Sequence, residues 1–506
     1  MTHTISLDFG TNGVRAGIFD LDAGKLVAAA ERCYGTRHIP PNRAEQSPDD
    51  WWAALCDLMP EVLAEAGQPE IDAICVATFA STVVFSDKHG QALAPAILWM
   101  DARATEEAAK TEAASHPVLA YSGGSDAVEW LVPKAMWMAK NDPDLWARTD
   151  IVCEALDFIN FRLSGIWAGS LMNATCKWNY DSRARAFCND LYADLGVPEL
   201  IDKLPPEILD IGAVIGTLTD EAAKALGFAT RPKVVQGGID AHMGTFGAGT
   251  VEPGSMLMIG GTSNVHLTQV PDDGRDITGV WGPYPHALTP DLRMIEGGQV
   301  SAGSILNWLA RDIYGLDDAG FVALCEEAAG VDFRDTSLMA LDFWMGNRTP
   351  YRDASLRGAL MGLSLSHDRA TIFRACVTSV SLGSANVVFD LERQGVHIDR
   401  LVLAGGILKN RMWLDATVDA IGKPVKVATG DNLSLYGAAV AAKVGLGLSP
   451  SLVKAAGSVA APMVEHEPDM DAHEDYKIML ADYREAVDVL RPILLRLSAS
   501  GKGRAS

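Results

Sequence analysis

Two short segments of the chain carry the residue types of an anion grip: Asp8-Phe9-Gly10-Thr11-Asn12-Gly13-Val14 and Gly260-Gly261-Thr262-Ser263-Asn264-Val265. In each, a Gly-Thr turn joins two runs of strand character, 5–9 to 14–19 in the first and 255–259 to 265–268 in the second. Glycine permits a positive φ and lets another group approach the backbone, while successive N–H donors and a Thr or Ser hydroxyl converge on a point that favours an anion. Either segment alone also reads as an ordinary hairpin turn. Their recurrence at matching places in the two halves points instead to a polyphosphate gripped from two sides.

Two carboxylates stand where strands should end. Asp8 closes the first strand, flanked by Leu7 and Phe9. It reads as a carboxylate near Mg2+, acting through water, because Mg2+ keeps several waters beside one or two carboxylates and phosphate oxygens; a turn-forming Asp is the other reading. Asp240 follows Gln236-Gly237-Gly238-Ile239 at a strand end and opens a helix, which aims it at the mouth of a cleft. A helix N-cap is the alternative there. Near a helix N-terminus its pKa is expected well under the ordinary value of about 3.9.

These residues need elements to place them. At 506 residues the chain exceeds what one core supports, since domains divide beyond about 250 residues. Two domains are expected, at 1–250 and 251–497, with a flexible tail at 498–506 and the boundary where Gly and Pro cluster at 250–254. The first opens as an antiparallel meander whose third strand lies at 26–34. A helix follows from Pro48, capped by Ser47, ended by Gly67 and kinked at Pro60. A buried strand at 71–77 and helices around 103–115 and 134–141 come next. The second half repeats the order, with a strand-to-helix junction at 234–249, the hairpin at 255–268 and a strand at 401–405 running into a helix. Duplicated mixed sheets with helices outside give an α/β protein with a cleft between two lobes.

Composition narrows the partners. A formal net charge of −23 argues against nucleic acid or an anionic membrane, both of which select for a basic face. The eight cysteines are scattered, with no C-x-x-C pair, as reduced thiols in a cytosol would be. No basic-then-apolar leader is seen and no apolar run approaches the roughly 18 residues of a membrane span, so a cytoplasmic protein is expected. The P-loop pattern is absent, and Ala404-Gly405-Gly406-Ile407-Leu408-Lys409-Asn410 lacks dinucleotide-fold spacing. A nucleotide, if bound, is held by the paired hairpins.

Over nearly its whole length the chain resembles the FGGY carbohydrate kinases of the actin-like and hexokinase-like ATPase superfamily. Pro133-Lys134-Ala135-Met136-Trp137-Met138-Ala139-Lys140-Asn141 is similar to one family motif, with Ala135 where a larger apolar residue is usual; Arg357-Gly358-Ala359-Leu360-Met361-Gly362-Leu363 is similar to the other. The ribulokinase and pentulose-kinase branch is resembled by Leu98-Trp99-Met100-Asp101-Ala102-Arg103-Ala104, Cys176-Lys177-Trp178-Asn179-Tyr180, Ile239-Asp240-Ala241-His242, Gly261-Thr262-Ser263, Glu296-Gly297-Gly298-Gln299 and Gly346-Asn347-Arg348-Thr349-Pro350. Ala102 stands where that branch commonly has His, which leaves the sugar open.

The resemblance implies a two-lobed fold of duplicated ribonuclease H-like domains and an ATP- and Mg2+-dependent kinase for the terminal hydroxyl of a pentulose, ribulose foremost. Xylulose or a polyol such as erythritol or ribitol is the nearest alternative. An actin-like ATPase switch without sugar chemistry, or a regulator that has lost catalysis, are the others. Asp240 becomes the catalytic base, and a weak base suffices because phosphoryl transfer is largely positioning and charge neutralisation. Thr11, Asn12, Gly261, Thr262 and Ser263 would contact the phosphates, and Asp8 the metal. The resemblance places Gly303, Asn307, Gly406 and Asn410 around the adenosine. A sugar is recognised by clustered polar groups. Lys177 and Glu296 are the candidates beside Asp240, although each alone reads as a solvated charge. Asp101 and Arg103 are weaker candidates, since an i, i+2 pair also reads as a structural salt bridge. Trp51 and Trp52 read as core and His242 as a structural hydrogen-bonding residue. The sugar is expected to bind the first lobe and ATP to bridge the two; a homodimer is a family expectation.

Overall fold

The computed structural model describes residues 1–430 and 432–502. Its first strand, β1 (His3–Gly10), is buried on both faces from Thr4 to Phe9, because it lies inside a sheet. That sheet also holds β2 (Gly13–Asp20), β3 (Lys25–Cys33), β4 (Ala73–Thr78), β5 (Val214–Thr217) and β6 (Lys233–Ile239), in the order β5-β6-β4-β1-β2-β3. The meander β1-β2-β3 is antiparallel, β4 and β6 are parallel to β1, and β5 closes the edge antiparallel.

A second sheet is built alike from β7 (Gly254–Gly260), β8 (Asn264–Pro271), β9 (Trp281–Pro285), β10 (Leu292–Gln299), β11 (Ile398–Gly405), β12 (Val425–Ala428) and β13 (Met463–His466), ordered β9-β10-β8-β7-β11-β12-β13. Here β7, β8 and β10 form the antiparallel meander, β11 and β12 run parallel to β7, and β13 is antiparallel at the edge. The duplication read from the two hairpins is therefore a duplication of whole sheets, one on each side of residue 250. A further five-stranded sheet gathers Arg37–Ile39, Arg43–Gln46, Ala96–Ile97, Val83–Ser86 and Ile151–Glu154. Strands of two to four residues leave too little period for sequence reading to detect.

Five helices matter to the cleft: α1 (Leu171–Lys177), α2 (Asp240–Gly247), α3 (Arg369–Arg393), α4 (Leu433–Gly445) and α5 (Met470–Lys502). Although α4 comes from the second half, it packs on β1, β4 and β6 of the first sheet and crosses α2. The crossing is tight because glycine faces backbone. A Cβ on Gly437 would meet the Met243 carbonyl oxygen at 1.9 Å, and one on Gly247 would meet that of Leu433 at 2.2 Å.

Three expectations change. The helix Pro48–Glu65 starts with Pro48 as read, but Ser47 makes no side-chain cap bond; the Asp50 N–H donates to the Ser47 carbonyl instead, at 3.1 Å. Among the described residues α3 is the one helix long and apolar enough to cross a membrane, against the expectation that no apolar run approaches that length; most of it is buried within the protein, as a core helix is. The expected tail at 498–506 begins inside α5, which runs to Lys502; residues 503–506 lie outside the described residues.

Replacing Gly437 by Ala should destabilise the protein by about 1–3 kcal/mol, the usual cost of overpacking, read as a lower denaturant midpoint. Gly35→Ala, where nothing lies within 4 Å of the added carbon, is the control and should leave the midpoint in place. Equal midpoints for both variants would show that the crossing is not tight.

Candidate active site

The register of the first sheet aligns Phe9 with Thr78 and Thr78 with Ile239, so β1, β4 and β6 end in one row. Asp8 and Asp240 stand at that edge, two strand spacings or roughly 10 Å apart along the sheet. Asp240 is the first residue of α2, while Ile239 occupies the cap position. Among the described residues its carboxylate accepts from the N–H of Ala241 alone, at 2.6 Å, so the N-cap alternative does not hold. Asp8 Oδ2 accepts from Asn432 Nδ2 at 2.8 Å, and Asn432 Oδ1 caps α4. Asp8 Oδ1 is buried with no partner among the described residues.

Electrostatics reverse the expected acidity. Burial pushes the Asp240 carboxyl up to about 7, with the charges of Asp8 and Glu296 adding to it and the Ala241 N–H opposing. The helix N-terminus favours the anion, but dehydration and like charge outweigh it. Asp8 is raised too, by burial first, against Asn432 and Arg15. Tyr34, whose hydroxyl donates to the Gly10 carbonyl at 2.6 Å, is raised by burial and then by both carboxylates.

Lys177 and Glu296 are buried, not solvated. Lys177 Nζ donates to Glu296 Oε2 at 3.1 Å, and His242 Nε2 lies 3.4 Å from the same oxygen. Burial acts to raise Glu296, yet Lys177, His242 and Arg348 overcome it and hold the carboxyl well below the usual range. His242 is pushed down by burial, so a neutral ring with its proton on Nε2 fits this contact. Around Lys177 Nζ stand Trp130, Trp281 and Tyr284, with ring centroids at 4.7, 5.6 and 5.7 Å. Arg348 lies 4.1 Å from the Trp281 centroid and 3.4 Å from Glu129 Oε1. Nearby, Asp126 accepts from Asn179 Nδ2 at 2.8 Å and is pushed up to about 7 by burial, while its Oδ1 lacks a partner among the described residues. Lys177 precedes residue 250 and Glu296 follows it, so this cluster draws on both halves; β9 packs against α1 and β10 carries Glu296 to Lys177.

The hairpin tips differ in size. Gly10 pairs with Gly13 around Thr11 and Asn12, and Gly260 pairs with Asn264 around Gly261, Thr262 and Ser263. Thr11 Oγ1 accepts from Trp99 Nε1 at 3.0 Å, and the Thr11 carbonyl from Gln46 Nε2 at 2.7 Å. The second tip docks on the helix Gly303–Trp308: Gly303 N–H donates to the Gly261 carbonyl, and Ala302 and Ser304 N–H groups donate to that of Thr262. A Cβ on Gly303 would meet the Gly261 oxygen at 2.6 Å, and an ideal Cβ on Gly406 lies 3.7 Å from Gly261 Cα. The three glycines thus converge. The residue that demands glycine in the 404–410 segment is Gly405, at φ 90°, more than Gly406.

A cleft of about 680 Å3 opens between the halves, lined by Arg15, Ala29 and Glu31 on one side and by Gly405, Gly406, Asn432 and Tyr436 on the other. Asn307 is exposed on its helix. Asn410 caps the helix Arg411–Ile421 and donates to Cys325 Sγ at 3.4 Å, so both its polar atoms are engaged within the protein. Asp101 and Arg103 bind each other at 2.7–2.8 Å, with Asp101 also accepting from Ala44 N–H and Arg103 also donating to Glu45. They form a closed ion pair rather than joining Lys177 and Glu296, as the structural-salt-bridge alternative anticipated. Sequence reading missed Trp130, Trp281, Tyr284, Asp126 and Asn432. Trp178, Asn179 and Arg348 lay inside quoted motifs, but spacing carried no signal of the cage.

Residues 3–247 match the N-terminal domain of the FGGY family of carbohydrate kinases, and residues 256–446 match its C-terminal domain. An FGGY carbohydrate kinase domain-containing protein from Homo sapiens is 28% identical over 482 residues, covering 86% of this chain and 87% of its own length. A ribulokinase from Shouchella clausii is 29% identical, covering 88% and 86% respectively. The crystal structure of a xylulose kinase from Rhodospirillum rubrum superposes with a TM-score of 0.84 at 26% identity, over 97% of this chain and 99% of its own. The duplicated sheets thereby take their place in the actin-like ATPase fold, and the chain belongs to the FGGY family of carbohydrate kinases, ATP-dependent sugar phosphotransferases.

Proposed function

We propose that this kinase phosphorylates the terminal hydroxyl of a pentulose, with ribulose as its preferred substrate, and that Asp240 is the base. The observation that carries the reading is the buried Lys177–Glu296 pair, close enough to Asp240 for the Glu296 charge to act on its carboxyl. In this reading these polar side chains match a polyol's hydroxyls, and a substrate lacking one of those hydroxyls would leave polar groups unpaired. The ribulokinase among the relatives supports the choice of sugar. In this reading Lys177 and Glu296 orient the sugar and the hairpin donors align the phosphates. Asp240 accepts the hydroxyl proton late, as the bond to phosphorus forms, and the cleft excludes water so that ATP is not simply hydrolysed.

Asp8 fits a magnesium ion. Its Oδ1 is buried without a partner among the described residues, and burial raises its carboxyl against the opposing effects of Asn432 and Arg15. The described residues contain no group of three or more His, Cys, Asp or Glu able to hold a metal. That agrees with an ion completed by phosphate oxygens and water. When bound there, Mg2+ supplies neutralisation of phosphate charge. The eight unpaired cysteines support a cytoplasmic setting.

ADP release measured with Mg-ATP against ribulose, xylulose, ribitol and erythritol tests the substrate. Ribulose should give the highest kcat/KM; a stronger response to xylulose or a polyol moves the assignment to that sugar, and sugar-independent turnover favours an ATPase switch. Asp240→Ala should lower kcat about 10²–10⁴-fold, the range of a general base, with both ligands still binding. Lys177→Ala should raise the sugar KM about tenfold or more and change the ATP KM less than about twofold; an unchanged sugar KM removes Lys177 from the site.

The acidity of Asp240 gives a pH test. Only its ionised form accepts a proton, so kcat/KM for the sugar should climb with pH and level off above about 7. Asp8→Asn removes the neighbouring charge and should move the midpoint of whatever activity survives to lower pH. A midpoint that stays put would show that Asp8 does not act on Asp240.

A further inference from the structure

Asn264 and Gln299 lie within motifs singled out in the sequence, yet neither has a part in the mechanism above. The structure joins them in one buried hydrogen-bonded chain. They face each other across β8 and β10. Asn264 Nδ2 donates to Gln299 Oε1 at 2.7 Å and to Ser384 Oγ at 3.0 Å, and the Ser384 hydroxyl donates to the same Oε1 at 2.5 Å. On its other side Gln299 Nε2 donates to Asp342 Oδ2 at 2.8 Å and to the Val380 carbonyl at 3.0 Å. The Tyr483 hydroxyl, on α5, donates to Asp342 Oδ1 at 2.5 Å. Gly383 in α3 leaves the room: a Cβ there would meet Gln299 Nε2 at 2.3 Å and Asp342 Oδ2 at 2.7 Å.

Asn264, Gln299, Asp342, Ser384 and Tyr483 are all buried. Apolar side chains of similar volume would stabilise such a core as well or better. What a polar chain adds is direction, since each member fixes the orientation of the next. This one ends at the residue after Ser263, where the second hairpin enters β8, and on the strand that carries Glu296 three residues earlier. Phosphate donors lose much of their effect when displaced by about 1 Å, so a rigid foundation belongs under that hairpin.

We infer that Gln299, acting through Asn264, is a positioning residue for the nucleotide phosphates, held in turn by Asp342 and by Tyr483 of the C-terminal helix. This deepens the proposed function and rests on its reading of the 261–263 turn as a phosphate site.

The test compares Tyr483→Phe, Gln299→Glu and Thr262→Val with the parent protein. Binding of Mg-AMP-PNP without sugar is measured by calorimetry, and KM for ATP and for the best sugar substrate by ADP release. Tyr483→Phe deletes one hydroxyl and keeps the ring, while Gln299→Glu keeps the shape and sets a second carboxylate against Asp342. Both should weaken AMP-PNP binding and raise the ATP KM, about three- to tenfold for the lost hydroxyl and more for the glutamate, with the sugar KM within about twofold of the parent. Thr262→Val alters the turn itself. If it weakens AMP-PNP binding while both network variants bind normally, the positioning role is overturned and the phosphate site stands. If it has no effect, the phosphate site is overturned and the inference falls with it. Equal losses of nucleotide and sugar affinity in the network variants mark general loosening and also overturn it. Should Gln299→Glu fail to fold, Tyr483→Phe decides alone.

Discussion

The closeness of two helices sets the geometry of the cleft. Gly247 of α2 meets Leu433, and Gly437 of α4 meets Met243, so the helices run antiparallel with backbone against backbone. That contact seats a helix of the second half on the sheet of the first. It also delivers Asn432, 424 residues away in sequence, to the carboxylate of Asp8. A side chain at either glycine would lift α4 from the sheet and take Asn432 with it. The lobes are thus joined by steric fit at the base of the cleft, and its chemistry is arranged above that joint.

One consequence is that carboxylates of the same region, Asp8 and Glu296 buried and Asp240 half-buried, behave oppositely. Asp8 and Asp240 face each other's charge with little compensation, and burial raises both. Glu296 is as deeply placed, but Lys177, His242 and Arg348 supply charge and hydrogen bonds that keep it ionised. Environments push these acidities apart: Asp240 is raised to about 7, whereas Glu296 is held as a fixed anion. The aromatic walls of Trp130, Trp281 and Tyr284 hold the Lys177 ammonium in place, which a solvated lysine, with its four flexible carbons, would not achieve.

Much of this was legible in the chain. The hairpins announced themselves by Gly-Thr turns between apolar strands, and Asp8 and Asp240 by standing at strand ends, because local periodicity and turn chemistry are written in neighbouring residues. The sheet duplication followed from them. The acidity of Asp240 was misread, since the local rule for a helix N-terminus says nothing of Asp8, which reaches it through sheet pairing. The cage around Lys177 joins residues 130, 177, 281 and 284, and no spacing encodes such a meeting. Asp101 and Arg103 looked like ligand contacts and are occupied with each other, with Ala44 and with Glu45. The small five-stranded sheet escaped because strands of two to four residues carry no period.

The net charge of −23 also bears on how ATP approaches. ATP without a cation brings several negative charges toward a protein that is itself strongly anionic, and the field there repels it before any contact forms. Diffusional encounter is therefore slowed for the free nucleotide and eased for its metal complex. Dissolved salt, which screens fields over about 10 Å at 0.1 M, speeds the approach rather than slowing it. The protein's net negative charge thus acts on the approach of the nucleotide, while the charge of Asp8 acts locally on the acidity of Asp240.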